Sequence, residues 1–127
     1  MQVPCKSQME EEYAMIQTNF SEFDPGTVFL YYHDYVWSPF LVIGHPDLYT
    51  LTTYYINRDR VLKRKWEFKE LMDEDVIKVI GHVDLTEAIL DILNRRGHDA
   101  YRLLDVLFDY VKSQRNFEEV MEGLDGR

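Results

Sequence analysis

The chain has 127 residues, of which 46% are hydrophobic, and this suits one compact domain with its own core. Its formal net charge of −9 repels a phosphate backbone, so general nucleic-acid binding is disfavoured. We expect the partner to be another protein, with a basic or apolar surface. The single cysteine, Cys5, excludes an intramolecular disulfide. No apolar leader or membrane-spanning run is visible, so we expect a cytoplasmic protein without membrane association.

An N-terminal helix is predicted over residues 8–20. Its apolar side chains recur at helical spacing, at Met9, Tyr13, Ile16 and Phe20. Three glutamates lie in its first turns, where negative charge complements the helix dipole. The stretch Asp-Pro-Gly-Thr that follows at residues 24–27 is a turn signal that ends this unit.

The middle of the chain favours β-strands, because β-branched and aromatic residues are enriched there and turn residues divide it. The predicted strands are 27–32, 39–44, 48–56, 61–69 and 75–83. Residues 33–38 are predicted to form a loop, and the second strand opens at Pro39, where a missing N–H is tolerated. For residues 48–56, a helix capped by Asp47 stays open as the alternative.

The C-terminal third is predicted to be helical. Asp84 is expected to cap one helix and Gly97 to end it. Asp99 is expected to cap a second helix, and a short last helix is predicted to begin at Asn116. Apolar stripes at helical spacing support the first two helices.

The expected fold is therefore α+β, in one domain that spans residues 1–127. It has an N-terminal helix, a small, mostly antiparallel sheet of four or five strands, and two C-terminal helices packed on the sheet. The ends, at about residues 1–7 and 123–127, are expected to be flexible.

Two heptapeptides are nearly identical: residues 42–48 read VIGHPDL and residues 79–85 read VIGHVDL. Eight identities in the 17 positions that begin at Val42 indicate an internal duplication. In a structural interpretation, the glycine lets the strand turn and the aspartate forms a turn or a helix cap. In the alternative, two imidazoles and two carboxylates bind a transition metal, which could activate water for hydrolysis. The residues of that alternative are His45, Asp47, His82 and Asp84.

Aromatic side chains crowd residues 31–40. Alternation along a strand sends neighbouring tyrosines to opposite faces, so they cannot all enter a one-sided core. Either a second small core forms, or the segment contacts a partner, since Tyr and Trp are enriched at binding hot spots. The residues assigned to partner binding are Tyr31, Tyr35, Trp37 and Phe40.

Charge is distributed unevenly. Residues 58–69 hold six basic and two acidic side chains, a net charge of +4, which leaves −13 on the rest of the chain. One interpretation is an edge strand protected by cations. The other is a docking patch for an acidic surface or a phosphate, made by Arg58, Arg60, Lys63, Arg64 and Lys65.

These observations favour a small, acidic, non-enzymatic protein-binding module. Its size, acidity and aromatic segment are typical of inhibitors or antagonists, including virus-encoded ones that act on a host enzyme or defence protein in the host cytoplasm. Acidic helix faces would add steering and specificity. A metal-dependent hydrolase or metal-binding protein and a structural subunit of a homo-oligomer are the alternatives. No nucleotide or zinc-protease motif is present, and no cofactor is expected.

Overall fold

The structure, a computed structural model, describes residues 23–125, with side chains as far as residue 114. The helix predicted over residues 8–20 lies outside the described residues. The described chain forms one small α+β domain, as predicted. Its elements are β1 (Thr27–His33), β2 (Val36–Gly44), β3 (Thr50–Asn57), β4 (Arg60–Glu67), a 3₁₀ helix (Phe68–Met72), β5 (Ile77–His82), α1 (Glu87–Asn94) and α2 (His98–Asp125).

The five strands form one antiparallel sheet in the order β4-β3-β2-β1-β5. The first four strands are consecutive along the chain, and β5 returns to pair with the free side of β1. Within the described residues, β4 and β5 are therefore the edge strands of the sheet. The strand prediction for residues 48–56 is confirmed, although β3 starts only at Thr50.

The loop predicted for residues 33–38 is wrong. β1 continues to His33 and β2 begins at Val36, so only Asp34 and Tyr35 remain to connect them. Both of these residues take positive φ angles, 52° and 65°. Two left-handed residues in succession let a two-residue turn match the twist of the strands, which makes a tight β-hairpin.

Both faces of the sheet are buried, because alternate residues of the strands enter different cores. In β1, Val28 and Phe29 are both 0% exposed but pack on opposite sides. The helix-side core joins the sheet to α1 and α2 through Val28, Leu41, Tyr54, Val61, Val83, Leu93, Ala100, Leu104, Phe108 and Val111. The opposite core contains Phe23, Phe29, Phe40, Val42, Leu51, Trp66, Leu71 and Ile77.

The helix boundaries differ from the predicted ones. Thr86, rather than Asp84, caps α1, and its hydroxyl accepts a hydrogen bond from the Ile89 N–H at 3.2 Å. The left-handed residue after α1 is Arg96, with φ of 52°, and not Gly97. α2 begins at His98, one residue before the predicted cap at Asp99.

The short last helix predicted to begin at Asn116 is not separate. α2 runs without a break from His98 to Asp125, because an asparagine inside a helix costs only a few tenths of a kcal/mol, about 0.7 at most. Within the described residues, no helix is both long and apolar enough to cross a membrane.

Candidate functional site

The tip of the β1–β2 hairpin exposes three apolar side chains in a row. Tyr35 is 93% exposed, Val36 58% and Trp37 39%. Tyr35 also has a left-handed backbone, which costs a bulky residue about 1–2 kcal/mol. An aromatic side chain that is both fully exposed and strained is not explained by the stability of the domain, and such outliers cluster at functional sites.

Pro39 separates this hairpin from its neighbour. The β2–β3 ladder begins only at Phe40↔Tyr55, although β3 continues to Asn57. The next bond of the alternating pattern would need the N–H of residue 39, which proline lacks. Between Phe40 and the tip of the β1–β2 hairpin, β2 and β3 are therefore not paired, and the two hairpins separate there.

A groove of about 360 Å³ lies between the two hairpins. β1 contributes Tyr31 and His33 to it, and β4 contributes Arg64. The Arg64 guanidinium carbon lies 3.6 Å from the centroid of the Trp66 ring and 5.2 Å from that of Tyr31. Stacking on two aromatic rings holds this cation in one place at the wall of the groove.

The four residues assigned to partner binding fall into two groups. Tyr35 and Trp37 lie exposed on the hairpin, whereas Phe40 is 3% exposed and belongs to the core opposite the helices. Tyr31 is half-buried and packs against that same core. Sequence reasoning missed Val36, and it also missed that Tyr32 supports Trp37 from the paired strand, with ring centroids 5.1 Å apart.

The five basic residues assigned to docking all lie on β4 or on the turn before it. Arg58 occupies that turn with φ of 63°. Alternation places Arg60 and Arg64 on the groove side, and Lys63 and Lys65 on the side of the helices. These basic side chains therefore lie on both faces of the edge strand β4, and only some of them face the groove side.

The repeated V-I-G-H letters encode the same backbone feature twice. In β2, Val42 pairs with Thr53 and Gly44 pairs with Thr52, the adjacent residue of β3. Ile43 is therefore an extra residue in β2. In β5, Val79 pairs with Phe29 and Gly81 pairs with Val28, the adjacent residue of β1. Ile80 is therefore an extra residue in β5. Each copy thus carries a β-bulge immediately before its glycine.

Both copies hold the turn that precedes β1. His45 Nε2 lies 2.6 Å from the Phe23 carbonyl, and His82 Nε2 lies 3.2 Å from the Pro25 carbonyl. Between them, the Gly26 N–H donates to the Val42 carbonyl at 2.8 Å, and the Gly26 carbonyl accepts from the Val83 N–H at 2.7 Å. The two histidines therefore bind the same turn, His45 from the β2 side of β1 and His82 from the β5 side.

The aspartates of the repeat have separate surroundings. Asp47 accepts the Tyr49 N–H at 2.8 Å, and this bond, together with the charge of Lys65, lowers the pKa of its carboxyl group. Asp84 is exposed in the short segment between β5 and α1. Among residues 23–125, no group of three or more His, Cys, Asp or Glu side chains could hold a metal ion. The four residues of the metal alternative are thus not brought together.

The hairpin tip, the groove and the basic strand are the three features that carry the functional argument. Comparison of the chain with protein-family models found no matching family, and comparisons with curated proteins and with solved structures found no match either.

Proposed function

We propose that the protein is a non-enzymatic protein-binding module, of the inhibitor or antagonist type, that contacts its partner through the tip of the β1–β2 hairpin. Tyr35 and Trp37 are the anchors, and Val36 completes the apolar contact. The observation that carries the proposal is the exposure of Tyr35 in a left-handed backbone. Interfaces use rigid aromatic anchors because they bury a large area with few rotatable bonds.

The surroundings of the tip support this role. The Trp37 ring contacts that of Tyr32 at a tilt of 48°, so part of its indole is already packed before a partner binds. A pre-organised side chain loses less conformational entropy on binding than a free one. The exposed carboxylates of α2, among them Asp105 and Asp109, would steer the approach of a basic surface.

The anchors can be tested by affinity purification from the cells that make the protein. We expect the Tyr35→Ala/Trp37→Ala variant to lose its partner while its thermal unfolding stays within a few degrees of that of the unmodified protein. Tyr49→Ala/Tyr110→Ala is the matched control, because Tyr49 is 64% and Tyr110 57% exposed elsewhere on the surface. A partner that is recovered equally with both variants would refute the anchor assignment.

A second experiment uses the backbone strain. Asn-Gly is the preferred pair for this type of turn, so Asp34→Asn/Tyr35→Gly should stabilise the fold by about 1 kcal/mol. We expect the same variant to lose partner binding, since the anchor is gone. Higher stability together with lost binding supports a functional reason for the strained tyrosine, whereas higher stability with unchanged binding contradicts it.

A further inference from the structure

β4 is an edge strand without the usual structural interruptions. All eight of its residues pair with β3, from Thr50↔Glu67 to Asn57↔Arg60, and the register does not shift. In the described part of the chain no strand pairs with its outer side. The opposite edge differs, because β5 has only six residues and carries a bulge. Shortness and bulges protect an edge from further pairing, and β4 has neither.

The register shows which backbone groups of β4 point outward. The two-residue turn makes Asn57 and Arg60 a hydrogen-bonded pair, and such pairs alternate along an antiparallel ladder. The bond from the Phe68 N–H to the Tyr49 carbonyl, 2.7 Å long, continues that alternation. The N–H and C=O groups of Val61, Lys63 and Lys65 therefore face away from β3.

The end of this open row is also defined. The Glu67 N–H donates to Glu70 Oε1 at 2.9 Å, so it is already satisfied. The chain then turns into the 3₁₀ helix at Phe68. Val61 is 3% exposed and belongs to the helix-side core, so the open edge is the short segment at Lys63 and Lys65.

Cations line both faces of this segment. Lys63 and Lys65 are exposed on one face, and Arg60 and Arg64 lie on the other. Within the described residues neither lysine takes part in a salt bridge. A second copy of β4 that paired with this edge would place cations against cations, which disfavours self-association. The same cations attract a strand that carries carboxylates.

We propose that the edge of β4 accepts an extended acidic segment of a partner protein as a sixth strand of the sheet. Backbone hydrogen bonds to Lys63 and Lys65 would supply the pairing, and the side chains of these two lysines would select Asp and Glu, since Arg64 already pairs with Glu70 at 3.4 Å. Protection of the edge and docking are then two results of one charge pattern: it repels another basic strand and admits an acidic one. This inference does not depend on the hairpin anchors.

The probe for the test is a peptide as long as β4 in which glutamate alternates with valine. In a low-salt NMR titration, we expect the amide signals of Lys63 and Lys65 to shift and their hydrogen exchange to slow on binding. Lys63→Glu/Lys65→Glu should weaken binding by about tenfold or more. The control Lys78→Glu/Lys112→Glu makes the same charge change at exposed positions outside β4 and should weaken it far less.

Two further peptides separate strand pairing from charge attraction. N-methylation at the residues that face β4 should abolish binding, whereas N-methylation at the alternate residues should leave it intact. Equal binding of both, equal binding of a lysine-valine peptide, or no shift at β4 would overturn the proposal. A dimer through β4 in light scattering at two concentrations would identify a second copy as the occupant and would also overturn it.

The hairpin variant Tyr35→Ala/Trp37→Ala distinguishes this inference from the proposed function. We expect it to bind the acidic peptide as the unmodified protein does. If that variant loses the cellular partner but keeps the peptide, both proposals stand. If the peptide fails with every variant while the hairpin result holds, only the β4 inference falls.

Discussion

The two copies of V-I-G-H have the same backbone role but different neighbours. Each copy carries a bulge at its isoleucine, and each sends its histidine to a carbonyl of the turn before β1. Among the residues that the structure describes, a Cβ on Gly44 would meet nothing within 4 Å, whereas a Cβ on Gly81 would lie 2.6 Å from Val111 Cγ1. Identical letters therefore specify a local conformation, while the tolerance of each position depends on what packs against it.

The largest effect is expected where the two copies meet, at Gly26. Its φ of 103° is unfavourable for any L side chain, and an added Cβ would collide with the Val83 carbonyl and the His82 ring. Gly26→Ala should lower the free energy of unfolding by about 3 kcal/mol or more, since backbone strain and overpacking add. Chemical denaturation measures this loss, and a cost below that of Gly81→Ala would show that the turn is not the shared support.

The next comparison is between the two repeat glycines. Gly81→Ala should lower the free energy of unfolding by about 1–3 kcal/mol. The reason is that Val111 of α2 is β-branched and buried, so its side chain cannot move aside freely. Gly44→Ala should cost clearly less, as the space there is open. Equal unfolding free energies for the two variants would contradict the contact with α2.

A double variant sharpens that comparison. Val111→Ala removes the Cγ1 atom that an alanine at residue 81 would meet. The costs of Gly81→Ala and Val111→Ala should therefore be less than additive, by about 0.5 kcal/mol or more. Strict additivity would mean that the cost of Gly81→Ala comes from the backbone alone.

A smaller difference is expected between the histidines. His45 is half-buried and its bond to Phe23 is short, whereas His82 is exposed and its bond to Pro25 is longer, 2.6 Å against 3.2 Å. His45→Ala should cost about 1–3 kcal/mol, because a part-buried carbonyl loses a donor, and His82→Ala should cost about 0.5 kcal/mol or less. Urea unfolding of both variants decides the matter, and a larger cost for His82→Ala would reverse the assignment.

The smallest effect concerns Asp47 and pH. The hydrogen bond from the Tyr49 N–H lowers the pKa of its carboxyl group below the ordinary 3.8. A depressed folded-state pKa contributes stability above the unfolded pKa, and this contribution is lost as the pH falls through the folded value. Asp47→Asn should therefore make the loss of stability below about pH 4 slightly shallower. Unfolding curves at a series of pH values, with NMR titration of the carboxyl carbon, test this, and a raised titration midpoint would contradict it.

The strands were predictable because their signals are local. β-Branched and aromatic runs identified all five, and the apolar stripes identified the two helices that pack on the sheet. The errors lie at the boundaries. Asp34-Tyr35 is not the usual pair for a tight turn, so the sequence predicts a loop where the structure has a hairpin. Thr86 and Arg96 have the roles expected of Asp84 and Gly97.

The candidate site was predictable only in part. Residue type singled out Tyr35 and Trp37 as candidate anchors, and the charge run singled out β4. Phe40 and Tyr31 belong to the same aromatic run, yet the first is buried and the second half-buried. Type and spacing cannot tell them apart, because exposure depends on which face of the sheet a neighbouring element covers.

By itself, the sequence determined the fold class, the repeat of the V-I-G-H letters and the separation of a basic strand from an acidic body. These follow from local preferences and from charge, which need no partner in space. Only the tertiary structure decided that both copies clamp one turn, that β4 lies at an edge, and that Pro39 opens a groove between two hairpins. Strand order and register are set by contacts between distant residues, so no single segment contains them.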